Sequence, residues 1–322
     1  MKLYLNQNNH QIGPYSLEEA RDLIYRGEVT RAVLALPEGT TEWVPLEQLM
    51  QKTDKPPAIP PPIMLGLDRL RDPKEKTALI WLFVASVPGW ILLVVWTIVS
   101  VGILLPILGV VALAILFGEL WFAAYVKANA IRVSAKQLPE VFKVVESCCQ
   151  RIGMPVPDVY IMQQNVWNAF AAKIFGRRMV VLLSGAVDSI LLKGNMQQMA
   201  WLIGHELGHH YAGHLDFSRK LANVGNWCIW LKLWYSRRCE LTCDRIGLFC
   251  AGGFKESQLA LMNATVGAQL ANQVNVSEAI NQWQQHRGEF FVRYRTLYST
   301  HPHHLCRLEQ LALASSEFGF SR

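Results

Sequence analysis

The sequence has few charged residues for its length. Only 17% of its 322 residues are Asp, Glu, Lys or Arg, against roughly 25% in soluble globular domains. The shortage is concentrated in one block, because 42 consecutive residues between Lys76 and Glu119 carry no charge. One membrane crossing takes about 20 apolar residues as a helix, so this block is long enough for two. The alternative is a helical hairpin buried in a soluble core, which a charge-free run of this length disfavours.

Two transmembrane helices are therefore predicted, at about residues 78–99 and 103–122. A Ser-Val-Gly sequence at residues 100–102 lies where a tight hairpin would reverse the chain. Three tryptophans fall near the expected headgroup levels: Trp81, Trp96 and Trp121. Because the block begins some 77 residues into the chain, it is not predicted to be a cleaved signal peptide.

Positively charged residues flank the predicted hairpin on both sides. They are Arg69, Arg71, Lys74 and Lys76 before it, and Lys127, Arg132 and Lys136 after it. Since Lys and Arg are retained on the cytoplasmic side of a membrane, both flanking parts are expected in the cytoplasm. The formal net charge of +6 fits contact with an anionic membrane surface. Nothing in the sequence indicates a nucleic-acid partner.

The cysteines give no sign of a disulfide framework. All seven follow the predicted hairpin, their number is odd, and their spacing fits no framework. This pattern is expected in a reducing compartment and agrees with the cytoplasmic orientation.

Residues 1–50 are predicted to form a small, independent α+β module. Residues 2–6 have the pattern of a strand, residues 13–15 that of a turn, and residues 32–36 that of a second strand. Ser16, with a glutamate three residues later, makes a capping box that predicts a helix through about Arg26.

This module resembles the GYF-like family of small domains. The matching residues are Tyr4, the run Gly13-Pro14-Tyr15-Ser16, Gly39 and the run Glu42-Trp43-Val44-Pro45-Leu46. Leu36 stands where such domains often carry Trp. The resemblance implies recognition of a proline-rich peptide in an aromatic-lined groove, with Tyr15 and Trp43 binding the partner. The alternative, which the sequence supports equally, is that both are core aromatics of a very small domain.

Residues 51–76 are predicted to be a proline-rich linker. Five prolines between residues 56 and 62 favour a semi-rigid polyproline stretch. A spacer is the favoured role, and the alternative is a ligand for the N-terminal module.

Residues 127–322 are predicted to form a second α+β domain that is mainly helical. Helical periodicity covers residues 138–152 and 197–213. Short strands are predicted at residues 158–162, 169–174 and 179–183, separated by turns at Gly176 and Gly185. The final third is predicted to be mostly helical.

One predicted helix carries the pattern His205-Glu206-Leu207-Gly208-His209. A spacing of four residues places both imidazoles on one helix face. There they can bind one zinc ion, with Glu206 beside it as the general base of a metallopeptidase.

A catalytic zinc needs a third protein ligand. Glu240 lies in a helical stretch and is the favoured candidate, while Asp244, one turn later, can accept a hydrogen bond from a liganding histidine. His214 is a less favoured third ligand. Without the histidines, Glu240 and Asp244 would be read as a solvated face or as partners of the neighbouring arginines Arg237, Arg238 and Arg245.

Taken together, these motifs resemble the HtpX-like membrane metallopeptidases, relatives of the CAAX prenyl protease. Four motifs match in order: Asn168-Ala169-Phe170-Ala171, His205 to His209, Glu240 to Asp244, and Thr300-His301-Pro302 with Arg307. The resemblance implies a zincin-type fold with a small edge sheet, whose strand at residues 168–171 binds the substrate. It also implies that His301 stabilises the transition state and that Arg307 holds the substrate.

The chain departs from this family between the zinc helix and Glu240. There the family has two further membrane spans, whereas only residues 215–239 fill the gap here. Trp227, Trp230 and Trp234 recur at helical spacing, which fits an amphipathic helix at the membrane interface; core packing is slightly favoured. Cys243 stands where relatives usually have alanine, and it is interpreted as a small buried residue.

The sequence thus predicts a membrane-anchored endopeptidase with one zinc per chain. The domain combination favours a bacterial inner membrane and a role in membrane protein quality control. One alternative is a membrane-bound adaptor that binds partners through the GYF-like module and has an inactive zinc domain. Another is a structural zinc site, but such sites usually have four side-chain ligands.

Overall fold

The structure is a computed structural model of the whole chain. It describes residues 2–7, 10–25, 28–30, 32–46, 48–49, 66–100, 102–191, 195–222 and 227–320. Most of the predicted proline-rich linker (residues 51–65), the predicted helix end at Arg26 and part of the hairpin turn (Val101) lie outside the described residues. The described residues are mostly helical with two small sheets, so the predicted α+β class is confirmed.

The chain divides into two compact units, residues 1–61 with 188–196 and residues 62–187 with 197–322. The first contains β1 (Lys2–Gln7), β2 (His10–Ser16), α1 (Leu17–Tyr25), β3 (Leu34–Pro37) and β4 (Val44–Pro45). Its sheet is antiparallel in the order β2-β1-β3-β4. The predicted capping box is present, since Ser16 N donates to Glu19 Oε2 (2.6 Å) and Glu19 N donates to Ser16 Oγ (3.2 Å).

The predicted turn at residues 13–15 is wrong, because these residues lie within β2. Tyr15 pairs with Leu3 across the ladder, and the register shifts between Leu3 and Leu5. That irregularity, together with a positive φ at Gly13, lets a Gly-Pro sequence continue in a strand. Tyr15 packs half-buried against the core of the module, and Trp43 is half-buried.

The second unit begins with a short helix and a long helical hairpin. These are α2 (Leu67–Leu70), α3 (Glu75–Val99) and α4 (Leu104–Asn129). With 25 and 26 residues, α3 and α4 are each about 38 Å long at 1.5 Å per residue. Both are long and apolar enough to cross a membrane, and most of their apolar side chains are exposed, as expected for helices that face lipid.

The hairpin is joined to the rest of the unit at its base. Asp72 N donates to Thr242 Oγ1 (2.9 Å), and Arg245 Nε donates to Leu70 O (3.0 Å). Further along α3, Ala78 and Leu82 are buried. In the last turns of α4, Val126 belongs to the core cluster of the second sheet.

The second sheet contains β5 (Ile131–Arg132), β6 (Asp158–Met162), β7 (Ala169–Ile174) and β8 (Arg177–Leu183). Their order is β5-β6-β8-β7, with β6 and β8 parallel and the other pairs antiparallel. Within the described part of the chain no strand pairs with the outer side of β7, so β7 is an edge strand. The three predicted strands of this region are observed.

The predicted turn at Gly185 is wrong, because Gly185 lies in the helix Ser184–Leu191. A Cβ there would lie only 2.7 Å from Val166 N. Glycine is therefore required here because two backbone segments approach each other closely, and not because the chain turns. Gly176, in contrast, lies in the predicted turn with a positive φ of 77°.

The remaining helices follow the hairpin along the chain. They are α5 (Pro139–Ile152), α6 (Ser184–Leu191), α7 (Met196–Tyr211), α8 (Phe217–Ala222), α9 (Ile229–Ala251), α10 (Phe254–Val266), α11 (Val276–His286), α12 (Phe290–Leu297) and α13 (His304–Phe318). The predicted helices at residues 138–152 and 197–213 correspond to α5 and α7.

Two glycines let α7 approach α9 closely. A Cβ on Gly204 would lie 2.6 Å from Cys250 Cβ, and one on Gly208 would lie 3.1 Å from Cys243 Cα. Both glycines are on one face of α7, four residues apart. The short distance between the two helices positions the histidines of α7 opposite the acidic residues of α9.

Candidate metal centre

Three side chains from α7 and α9 converge on one point. His205 Nε2 lies 3.4 Å from Glu240 Oε2, and His209 Nε2 lies 3.6 Å from Glu240 Oε1. The two histidines share a helix face because they are four residues apart, and Glu240 faces them from α9. The structure thus brings together the three residues predicted to bind the metal.

These distances fit a zinc ion. Zinc binds histidine nitrogen and carboxylate oxygen at about 2.0–2.2 Å, so tetrahedral ligands are separated by roughly 3.3–3.6 Å. Two imidazoles and one carboxylate are a typical donor set of a catalytic zinc, with a fourth position left for water. The three residues could therefore hold one zinc ion.

Cys243 is a further sulfur donor near the two histidines. Its Sγ lies within 4.8 Å of a ring nitrogen of both His205 and His209. Burial raises the pKa of this thiol well above its usual range, and a protonated thiol is a poor ligand. Burial also acts to raise the pKa of Glu240, but the hydrogen bond and charge of His205 outweigh it and lower that pKa. Glu240 is therefore the better third ligand.

Glu206 is buried beside the ligand set. Burial raises its pKa to about 7, although the nearby charge of His205 opposes the rise. A carboxyl group with a pKa near neutrality can exchange a proton at physiological pH. Burial also lowers the pKa of His209 to about 3, which keeps this imidazole in the neutral form that binds metal.

His205 is oriented by Asp244. His205 Nδ1 and Asp244 Oδ1 are 3.0 Å apart, so Nδ1 carries the proton and Nε2 faces Glu240. Burial acts to lower the pKa of His205, but the bonds to Asp244 and Glu240 outweigh it and raise the pKa to about 10. This arrangement is the carboxylate–histidine pair that commonly supports a metal site.

Arg307 is buried and bound to Asp244 through two hydrogen bonds. Its Nε and Nη2 donate to Asp244 Oδ2 (2.8 Å) and Oδ1 (2.6 Å). Burial acts to raise the pKa of Asp244, but the charge of Arg307 outweighs it and lowers that pKa. The guanidinium is thus engaged by Asp244, which differs from the predicted substrate contact.

His301 lies at the open side of the centre. Its side chain is 62% exposed, and its Nε2 is 3.5 Å from Glu240 Oε1. Thr300 Oγ1 lies 2.9 Å from His301 Nδ1, which orients the ring. His301 can therefore reach a molecule bound at the metal centre.

A cavity of about 610 Å³ opens beside the centre. Its lining includes His209 and Glu240 of the ligand set, and Glu119 and Phe122 from the hairpin helix α4. The edge strand contributes Ala172, Lys173 and Ile174. The predicted substrate-binding residues Asn168, Ala169, Phe170 and Ala171 directly precede these three. Phe170 packs against Phe122 with ring centroids 5.7 Å apart.

The tryptophans between α7 and Glu240 do not pack in the core, which the sequence slightly favours. Trp227 is 66% exposed and Trp230 is 52% exposed, and Trp234 is half-buried. Trp227 Nε1 donates to Ala85 O (2.8 Å), in the middle of α3. Trp227 therefore lies beside a helix long enough to span a membrane.

Two sequence families match different parts of the chain. Residues 4–51 match GYF domain 2, and residues 135–227 and 216–314 match Peptidase family M48. No solved structure matches the chain.

Several known proteins are similar to this chain. A protease HtpX homolog of Bifidobacterium longum (strain NCC 2705) is 30% identical over 139 residues, 42% of this chain and 44% of that protein. The plastoglobule-localized metallopeptidase 48, chloroplastic, of Arabidopsis thaliana is 26% identical over 171 residues, 48% of each chain. A protease HtpX homolog of Thermococcus kodakarensis (strain ATCC BAA-918 / JCM 12380 / KOD1) is 23% identical over 231 residues, 59% of this chain and 79% of that protein. The chain spans about half the length of the first two relatives.

Proposed function

Because this chain belongs to peptidase family M48, we propose that it is a membrane-anchored, zinc-dependent endopeptidase. The predicted resemblance to HtpX-like membrane metallopeptidases is confirmed. The observation that carries the proposal is the convergence of His205, His209 and Glu240, at spacings suited to zinc, with the buried Glu206 beside them.

Glu206 is the proposed general base. When bound, zinc supplies an activated water and polarises the carbonyl of the scissile peptide bond. Glu206 takes a proton from the attacking water on a carboxylate oxygen and later passes it to the leaving amine. Its burial supports this role, because a carboxylate with a raised pKa accepts a proton more readily.

His301 is proposed to donate a hydrogen bond to the oxyanion that forms at the scissile carbonyl. It suits this role because it is exposed at the open side of the centre and close to Glu240. For Arg307 we propose a positioning role: it holds Asp244, which in turn holds the ring of His205.

The substrate is proposed to bind as an extended peptide along β7. An edge strand has free backbone N–H and C=O groups that can pair with an added strand. The first half of β7 directly follows Asn168, and the second half lines the cavity next to His209. The hairpin residues in the cavity wall favour a substrate in or at the membrane, consistent with a role in membrane protein quality control.

The domains are proposed to lie in the order that the sequence predicts. They are a GYF-like module at 1–50, a linker predicted at 51–76, a transmembrane hairpin predicted at 77–126 and a peptidase domain at 127–322. The last part of the predicted linker is not a spacer, because it contains α2 and the first residues of α3 and packs against α9. The basic residues at both hairpin ends favour a cytoplasmic position for the module and the peptidase domain. Within the module, Tyr15 and Trp43 are half-buried, so each presents some surface to a proline-rich peptide.

The test is cleavage of unfolded casein by the full-length protein in detergent, compared with its Glu206→Gln variant. We expect cleavage by the wild type, loss of cleavage with a chelator, and no cleavage by the variant at an equal zinc content. Equal cleavage by both proteins would refute the role of Glu206. Zinc binding without cleavage by either would favour the adaptor alternative.

A further inference from the structure

We propose that Glu75 and His214 form a relay that positions His209 and connects the first transmembrane helix to the metal centre. Glu75 is the first residue of α3, and His214 follows the end of α7. The inference rests on the proposed function, since it takes His209 as a metal ligand. It assigns positioning residues that the metal-binding motif does not contain.

The relay is a chain of three side chains with short separations. His209 Nδ1, the ring nitrogen remote from Glu240, lies 3.2 Å from His214 Nδ1. On the other side of the second ring, His214 Nε2 lies 3.3 Å from Glu75 Oε1. The side chain of Glu75 is fully buried and that of His214 is 4% exposed. Glu75 is therefore shielded from solvent, whereas His209 and His214 also line the cavity beside the centre.

Only one proton arrangement lets His209 bind a metal through Nε2. A neutral imidazole has one protonated and one free nitrogen, so His209 must carry its proton on Nδ1. That N–H can be donated only if His214 Nδ1 is free, which places the proton of His214 on Nε2. The Nε2–H of His214 then faces the carboxylate of Glu75. The 3.3 Å contact with Glu75 is electrostatic and lacks hydrogen-bond geometry. The negative charge of Glu75 favours this tautomer of His214 and, through it, that of His209.

Glu75 is itself held in place from three sides. It forms a salt bridge with Arg71, accepts a hydrogen bond from Thr242 Oγ1 on α9, and faces His214. Arg71 Nη2 also donates to Ala212 O (3.2 Å), in the turn after α7. A fully buried carboxylate is costly unless it is well paired. This pairing keeps the acceptor of the relay fixed relative to both helices of the metal centre.

The two liganding histidines are then supported in parallel ways. His205 is backed directly by Asp244, which is paired with Arg307. His209 is backed through His214 by a glutamate paired with Arg71. Partners of this kind fix ring orientation and raise ligand basicity, and their loss typically lowers metal affinity 10–100-fold. The second chain differs in that its carboxylate belongs to a transmembrane helix.

A second metal ion is the competing interpretation of these residues. Glu75, His214 and Cys239 offer donor atoms within 4.8 Å of one another. However, Arg71 already binds a carboxylate oxygen of Glu75, and its positive charge opposes a nearby cation. The contacts therefore favour the relay.

The test measures metal binding by the full-length protein in detergent. Cobalt(II) and zinc affinities are determined by competition with a chelator, and the cobalt protein is also followed by its visible absorption spectrum. Three variants are compared. His214→Phe keeps a ring but has no hydrogen-bond acceptor, and His214→Asn keeps an acceptor near the position of Nδ1. Glu75→Gln removes the negative charge of the carboxylate. Asp72→Asn is the matched control, because Asp72 is buried in the same segment and contacts α9 but not His214.

We expect His214→Phe to weaken metal binding about 10–100-fold and to change the cobalt spectrum. His214→Asn should recover most of the affinity, Glu75→Gln should weaken binding severalfold, and Asp72→Asn should stay within about twofold of the wild type. The comparison of His214→Phe with His214→Asn separates a positioning role from a general loss of stability. Thermal unfolding of each metal-free variant measures that stability.

Wild-type affinity and spectrum in both His214→Phe and Glu75→Gln would overturn the relay while leaving the proposed function intact. Two metal ions per wild-type chain, with one lost in Glu75→Gln and in Cys239→Ser, would overturn it in favour of a second metal site. A wild-type protein that binds no metal would refute the proposed function and the relay with it.

Discussion

At the scale of single residues, the centre depends on buried charges that are paired with one another. Asp244 accepts two hydrogen bonds from Arg307 and faces His205, while Glu240 faces both liganding histidines. Removing one member of a buried ion pair typically costs 3–5 kcal/mol, because the other charge is left without a partner. The same side chains therefore contribute to both metal binding and stability.

Asp244→Asn is expected to weaken both properties. The variant keeps an acceptor for His205 but leaves the buried charge of Arg307 unpaired, so the free energy of unfolding should fall by about 3 kcal/mol or more. Zinc affinity should fall about tenfold. Chemical denaturation and chelator competition measure the two effects. The control is Asp158→Asn at the exposed pair with Arg132, where less than about 1 kcal/mol is expected; equal effects at both sites would contradict the assignment.

Glu206→Gln is expected to stabilise the metal-free protein at alkaline pH. Burial raises the pKa of Glu206 from 4.5 to about 7, so the folded state holds this proton more tightly than the unfolded state. The resulting stabilisation of the wild type is complete below about pH 4.5 and is lost as the pH rises through 7. At pH 8 the variant should therefore unfold at a higher temperature than the wild type, and its free energy of unfolding should be greater by up to about 3 kcal/mol. At pH 5 most of this advantage should disappear, and a difference independent of pH would contradict the account.

His301→Ala is expected to reduce catalysis without affecting folding. The side chain is exposed, so the melting temperature and zinc content should not change. Loss of one oxyanion donor typically lowers kcat by about 10²–10³-fold. Steady-state kinetics on a peptide substrate, with His286→Ala as an exposed control, measures the effect. An unchanged kcat would remove His301 from the site.

At the scale of elements, the site depends on the close approach of α7 and α9. Gly204→Ala would place a Cβ 2.6 Å from Cys250 Cβ and force the helices apart, at a cost of about 1–3 kcal/mol. Because His205 is the next residue, zinc affinity should fall as well. Gly109→Ala, in α4, meets no atom within 4 Å and serves as the control. Thermal unfolding and zinc content report both effects, and a neutral Gly204→Ala would mean that the helices are not closely packed here.

Most elements of the second unit could be predicted from the sequence, because their residues follow simple periodicities. The strands Asp158–Met162 and Ala169–Ile174 have the predicted bounds. The errors occurred where a tertiary contact decides the conformation. Gly185 faces the backbone of Val166, and Trp227 contacts α3; neither partner can be inferred from local pattern.

The candidate site could be predicted only in part, for a similar reason. The spacing of His205 and His209 is local, and Glu240 and Asp244 were predicted from a helical stretch and the need for a third ligand, which the family resemblance then supported. The pairing of Asp244 with Arg307 and the approach of Glu75 to His214 join residues 63 and 139 positions apart. Such pairs carry no local signal, so neither the pairing of Arg307 with Asp244 nor any role for Glu75 was predicted; the substrate contact that the family resemblance implies for Arg307 stays a prediction.

At the scale of the whole molecule, the proposed transmembrane hairpin would determine on which side of the membrane the site lies. With two spans, both flanking regions face the same side, and their basic residues favour the cytoplasm. A fluorescent protein fused to the C-terminus in bacteria should therefore fluoresce, and an alkaline phosphatase fused there should be inactive. An active phosphatase fusion would place the peptidase domain outside the cytoplasm.

In the proposed mechanism one zinc ion, held by His205, His209 and Glu240, acts together with Glu206. The most direct measurement is zinc titration of the chelator-treated, full-length protein while casein cleavage is followed. Cleavage by the wild type should rise with added zinc and level off at one equivalent per chain. Glu206→Gln should bind the same single equivalent without cleaving. Cleavage that survives zinc removal, or that the Glu206→Gln variant retains, would contradict the account.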